Sequence, residues 1–143
     1  MYYFRHSRLA YIAPLFLMSS CYPAYRTIEP YGLVEVYDNQ GQPLSGSKVY
    51  FKIKQYPYGD LYSHNFRITD LSGQATFDGL YEWRIDSLML HGKFYYDLDI
   101  CVEKEGYANY VQSFNSVLDL DDKVHVNLKS GKAYSCFEQS EAR

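Results

Sequence analysis

Lys48-Val49-Tyr50-Phe51-Lys52-Ile53-Lys54 alternates strictly, with Val49, Phe51 and Ile53 on one side and Tyr50, Lys52 and Lys54 on the other. A period of two marks a strand buried on one face, because successive side chains of a pleated chain point to opposite sides. Val49, Phe51 and Ile53 are therefore predicted to enter a core, and Tyr50, Lys52 and Lys54 to meet solvent. The same period returns in Phe94–Glu103, predicted as the longest strand. There Phe94, Tyr96, Leu98, Ile100 and Val102 share one face, and Tyr95, Asp97, Asp99, Cys101 and Glu103 share the other.

Outward from these two stretches, strand and turn signals alternate. Val34 and Val36 mark a strand before the turn-forming run Asp38-Asn39-Gln40-Gly41-Gln42-Pro43. Asn65–Thr69 reads as a strand with Phe66 and Ile68 inward. Asp70-Leu71-Ser72-Gly73 turns the chain into Gln74–Phe77, whose Ala75 and Phe77 point inward, and Asp78-Gly79 is expected to break that strand. Leu80–His91 fits either a strand extended through Trp83 and Ile85 or a short helical turn. Lys104-Glu105-Gly106 turns into a strand over Tyr107–Phe114. Asp119–Lys123 is a charged turn, and Val124, Val126 and Leu128 mark the last strand. About seven short antiparallel strands with regular turns predict an all-β fold, an antiparallel β-sandwich. One sheet alone would leave Val49, Phe51, Leu98 and Ile100 wet, at a cost of about 1.5–3 kcal/mol each.

The order of these signals resembles a known family. Val34-Glu35-Val36-Tyr37-Asp38 followed by Gly41-Gln42-Pro43-Leu44-Ser45-Gly46-Ser47-Lys48-Val49 is similar to the opening of carboxypeptidase-regulatory-like domains. Ser47 stands where those domains carry Ala. Thr69-Asp70-Leu71-Ser72-Gly73-Gln74-Ala75-Thr76-Phe77 is similar to their second motif, and Glu103-Lys104-Glu105-Gly106-Tyr107 to their Lys-x-Gly-Tyr turn. The resemblance spans Gly32 to Leu128 and implies a transthyretin-like (prealbumin-like) sandwich. It also implies a non-catalytic accessory or adhesion-like module, although turn motifs speak to fold more than to function.

The chain's front end has a different character. Arg5, His6 and Arg8 precede the apolar run Leu9–Met18, then Ser19, Ser20 and Cys21. A basic start, a short apolar middle and small residues before a cut are the parts of a secretory signal peptide. The run is too short for a transmembrane helix, which needs about 20 apolar residues, and Pro14 interrupts it. Met18-Ser19-Ser20-Cys21 resembles the lipobox of bacterial lipoproteins, with Met18 where Leu is commoner. That resemblance implies cleavage before Cys21 and acylation of Cys21, and so a membrane attachment. Tyr22, in place of an aspartate, leans toward the outer membrane, facing the periplasm or the cell surface. The expected organisation is a signal peptide over 1–20, a lipidated cysteine and tether over 21–30, and a sandwich with a C-terminal tail over 31–143. Tyr22–Pro30, with two prolines, is predicted as an extended tether reaching no more than about 30 Å.

Composition narrows the chemistry. The net charge is −3, and the segment before Cys21 holds two arginines and no acid, so the remainder is more acidic still. No basic patch appears, which excludes nucleic acid as a partner. Apart from Cys21, only Cys101 and Cys136 remain. In an oxidising compartment they are expected to pair, with two free buried thiols as the alternative. Because Cys101 lies on the polar face, a bond to Cys136 would carry the tail across the outside of the sheet. His64, His91 and His125 lack zinc-motif spacing, so no metal is expected. Asp97 and Asp99, and Asp119, Asp121 and Asp122, read as solvated charges, since no calcium-loop pattern frames them.

No Gly-x-Ser-x-Gly or phosphate loop is present, and Ala133-Tyr134-Ser135-Cys136 departs from the Tyr-Arg-Gly-Ser ending of transthyretin-like hydrolases. No enzyme and no cofactor are expected. Tyrosine is abundant, at 17 residues. Tyr56, Tyr58 and Tyr62, in the loop segment Gln55–Ser63, are candidate anchors for an envelope protein or glycan, since rigid aromatics in loops build recognition surfaces. The alternative is a structural subunit of an envelope or secretion assembly.

Overall fold

A computed structural model describes residues 21–56, 60–87 and 95–136. The chain falls into two compact units. The described residues of the smaller one are 21–26 and 83–87; the larger one runs over Thr27–Glu82 and on from 95 to 136.

Among the described residues there are seven strands: β1 (Cys21–Tyr37), β2 (Lys48–Tyr56), β3 (Asp60–Ile68), β4 (Gln74–Ser87), β5 (Tyr95–Glu103), β6 (Tyr110–Phe114) and β7 (Lys123–Asn127). They form a three-stranded sheet, ordered β4-β1-β7, and a four-stranded sheet, ordered β3-β2-β5-β6. The protein is an all-β sandwich. Val34, Val36, Phe77 and Val126 from one sheet meet Val49, Phe51, Leu98, Ile100 and Val102 from the other in one core, each fully buried. Phe51 and Phe77 stack across the interface with ring centroids 3.7 Å apart and planes 5° from parallel.

The turns explain why these residues hold the sheets in place. Asp38-Asn39-Gln40-Gly41-Gln42 and Asp70-Leu71-Ser72-Gly73-Gln74 close alike. In each, the aspartate carboxylate accepts backbone N–H groups two and four residues on, at 2.8–3.0 Å. In each, the glycine takes a left-handed φ, +76° and +75°. The Ser72 hydroxyl and the Gln74 N–H hold the Asp70 carboxyl below its usual range. Gly73 also accepts from the Val36 N–H at 2.9 Å, which docks the second turn on β1. Buried Thr69 joins it to the first: its hydroxyl accepts from the Ser47 N–H at 2.9 Å and donates to the Leu44 carbonyl at 2.6 Å.

Several expectations are corrected. The sheets are not antiparallel throughout: β1 and β7 pair in parallel, from Leu33↔Lys123 to Tyr37↔Asn127. The chain reaches β7 by crossing from the four-stranded sheet, and a crossover permits a direction that a hairpin forbids. The longest strand is β1, of 17 residues. It absorbs the expected tether, and Ile28, Glu29 and Pro30 are buried. Pro23 and Pro30 precede Leu33, where the β7 ladder begins, so that side of β1 asks no N–H of them.

Phe66 and Ile68 do not point inward; they are 49% and 58% exposed. β3 pairs with β2 through Tyr50↔Phe66 and Phe51↔Asn65, so Asn65 and Arg67 share the inner face with Phe51. These polar groups are satisfied there. Asn65 donates to Glu29 Oε1 at 3.1 Å, and Arg67 donates to Asn65 Oδ1 at 2.8 Å and lies 5.6 Å from the Phe77 ring centre. Burial raises the Glu29 carboxyl above its ordinary value, against the lowering effect of Asn65.

Asp78-Gly79 does not end its strand. Gly79 adopts φ +80° inside β4, which runs on to Ser87. Tyr107–Asn109 precede β6 instead of joining it, and Ala108 N–H donates to the Lys129 carbonyl at 2.8 Å.

Candidate functional site

Cys101 and Cys136 form a disulfide with their Cα atoms 6.0 Å apart. As expected from the face of β5 that holds Cys101, the tail crosses the outside of the four-stranded sheet. It is clamped there by polar contacts. The Cys136 N–H donates to Glu103 Oε2 at 3.1 Å, while the Tyr50 hydroxyl donates to Glu103 Oε1 at 2.9 Å. Lys52 donates to the Cys136 carbonyl. Asn109 holds Tyr134 from both sides, accepting from its N–H at 3.0 Å and donating to its carbonyl.

This cover corrects the solvent placement of two residues: Tyr50 is 7% and Lys52 5% exposed. Burial lowers the Lys52 ammonium below its ordinary value. Burial, aided by Glu103, pushes the Tyr50 phenol up to about 12. Of the three residues expected in solvent, Lys54 alone stays partly exposed, 2.8 Å from Asp99.

Beside the tail opens a groove of about 710 Å³, within the size range of ligand clefts. Lys48, Glu103, Lys104 and Glu105 line it, together with Tyr134 and Ser135 of the tail. Lys104 donates to the Ser45 carbonyl at 2.5 Å, and Lys48 lies 3.5 Å from Glu103. Mixed charges and a tyrosine suit a polar, hydrogen-bonding surface rather than an anion or an apolar molecule.

Of the aromatic trio, Tyr56 is at the end of β2, 46% exposed and stacked on Tyr95 with centroids 4.5 Å apart. Tyr58 lies outside the described residues. Tyr62 belongs to β3, but its side chain is outside the described part. The structure adds Tyr95 and Asp97, and it corrects the reading of Asp97 as a solvated charge. Asp97 Oδ1 is buried without a hydrogen-bond partner. Burial and nearby Asp99 raise its carboxyl above the ordinary aspartate value. The period-two face of β5 already grouped Tyr95 with Asp97; the meeting of Tyr95 with Tyr56 required the β2–β5 register.

A second polar cluster was not legible in the sequence. Glu35, though charged, is 3% exposed on β1. Its carboxylate lies 2.8 Å from Lys123 Nζ and 3.0 Å from His125 Nδ1, and accepts from Gln74 Nε2 at 3.0 Å and the Tyr37 hydroxyl at 3.2 Å. Every contact is internal, so the cluster reads as a rivet between β4, β1 and β7.

Cys21 is unpaired and exposed at the first residue of β1. Among the described residues no group of three His, Cys, Asp or Glu side chains could hold a metal ion, and no helix is long and apolar enough to cross a membrane. No family model matches the chain, and no curated protein matches it.

Proposed function

We propose that this chain is a lipid-anchored protein of the bacterial envelope whose transthyretin-like sandwich binds a protein or glycan without catalysis. One observation carries the reading: of three cysteines, Cys101 and Cys136 are joined, and the one left free and exposed is the cysteine of the lipobox-like stretch. A disulfide is at home in an exported chain. A thioether lipid needs an accessible sulfur, and Cys21 supplies it. The two Asp-x-x-Gly turns and the Thr69 tie give the carboxypeptidase-regulatory-like resemblance a physical basis. The recognition surface is the rim formed by Tyr56, Tyr95 and Asp97, with Tyr58 and Tyr62 as its sequence neighbours. Flat rings beside a carboxyl that burial favours in its neutral form suit a hydrogen-bonding partner such as a glycan or a peptide backbone.

Metabolic labelling with an alkyne-bearing palmitate analogue tests the anchor. The wild-type chain should be labelled and sediment with membranes, and Cys21→Ala should do neither. An unlabelled wild-type chain would overturn the lipoprotein reading. A photoreactive residue at Tyr56, with one at exposed Thr76 as control, tests the rim in cells. A specific adduct at Tyr56 alone identifies the partner; no adduct there would remove the rim assignment. Adducts at both sites to one envelope complex would favour the structural-subunit alternative.

A further inference from the structure

The smaller unit joins the start of β1 to the end of β4, and it is dressed with aromatics. Trp83 and Ile85, two apart and so on one face, are 71% and 79% exposed. Tyr25, 59% exposed, sets its ring against the indole at 5.2 Å. Tyr22 is exposed as well, and Cys21 opens the strand. Indole and phenol rings with an apolar body and a polar tip concentrate at membrane–water interfaces, where each end finds its own medium.

We infer that this β1–β4 ribbon is a second membrane contact, with Tyr25, Trp83 and Ile85 seated in the headgroup layer of the bilayer that holds Cys21. The inference rests on the lipid-anchor reading, which names the occupant. Cys21–Arg26 is strand, not free tether. At about 3.3 Å per residue, Tyr25 is held no more than about 13 Å along the strand from an acylated Cys21. That reach exceeds the headgroup region, about 5–8 Å on each side of the hydrocarbon, so Tyr25 sits in that layer when the strand lies along the membrane surface rather than upright on it. The rings thus meet the bilayer surface wherever the strand leans toward it. Arg26 and Arg84 are the bases of the same segments and Asp86 the acid, a balance that suits anionic phospholipids. One lipid anchor plus a surface contact restrains orientation, which a single flexible attachment cannot do.

Trp83 is the only tryptophan of the chain, so its fluorescence reports this ribbon alone. The full chain, purified from membranes, is reconstituted into phosphatidylethanolamine–phosphatidylglycerol vesicles with and without lipids brominated near the headgroup. Intact mass first establishes whether Cys21 carries acyl chains. With acylated protein in the vesicles, the inference expects blue-shifted Trp83 emission and its quenching by the bromolipids, both reduced in a Tyr25→Ser/Ile85→Ser variant. Those positions are exposed, so the substitutions spare the core. Acylated, vesicle-bound protein with water-like, unquenched Trp83 emission would overturn the inference and leave the anchor standing. A mass without acyl groups would overturn the anchor, and the inference with it.

Discussion

Glu35 and His125 face each other in register on the parallel strands β1 and β7, with Glu35 Oε2 3.0 Å from His125 Nδ1. Lys123, on the same face of β7, completes the pairing. Two strands far apart in sequence are thereby joined by a carboxylate taken out of water, which is tolerable only because each of its oxygens has a partner.

The cluster predicts how stability responds to pH. The hydrogen bond from Lys123, with help from Tyr37, holds the Glu35 carboxyl below its ordinary value. Its stabilisation is therefore complete above the ordinary glutamate range and is lost as pH falls through the lowered folded value. Glu29, raised by burial, acts in the opposite sense: protonation relieves its desolvation. Urea midpoints between pH 7 and pH 3 should fall in wild type and fall less in Glu35→Gln. An equal decline in both would assign the acid limb to other groups.

Removing the disulfide should loosen the tail and destabilise the fold. The cysteines are 35 residues apart, for which loop-closure entropy corresponds to about 4 kcal/mol. A Cys101→Ala/Cys136→Ala variant should lose about 2–5 kcal/mol in chemical denaturation. Alkylation of native wild-type protein without reductant should leave both cysteines unlabelled; labelling of both would contradict the crosslink.

Phe77→Ala removes one ring of the stack between the sheets. It should cost about 3–5 kcal/mol, because the rigid walls from both sheets can close the void only in part. A loss below about 1 kcal/mol would mean that the two sheets collapse freely onto the gap.

Gly73 and Gly41 share a left-handed φ but differ in surroundings. A Cβ on Gly73 would lie 2.7 Å from the Val36 carbonyl oxygen, whereas one on Gly41 meets nothing within 4 Å. Gly41→Ala should cost only the conformational term, about 1–2 kcal/mol. Gly73→Ala should cost clearly more, since the turn must also lift off β1. Equal thermal shifts in the two variants would remove the docking role of Gly73.

How much was legible follows from the range of each interaction. The inward faces of β2 and β5 were read correctly because alternation writes a strand's core face into its own residues; what covers the other face is not written there. The Asp38 and Asp70 turns were readable for the same reason: accepting carboxylate, N–H donors and glycine lie within five residues. β3 misled because Phe66 and Ile68 are the apolar members of its alternation, yet β2 dictates its parity. Asn65 and Arg67 take the inner side of β3, partly buried, where Glu29 and the Phe77 face receive them.

From the sequence alone came the all-β sandwich, the inward faces of β2 and β5, and the side of the sheet on which a tethered tail must run. These depend on local alternation and on turns that close upon themselves. Tertiary structure alone decided that the tail buries Tyr50 and Lys52 and that β1 pairs with β7 in parallel. It also decided that Glu35 is sealed among Lys123, His125 and Gln74, and that Tyr56 meets Tyr95. Each depends on which distant segment comes to cover or pair with a residue, and a residue's own neighbours in the chain carry no record of that.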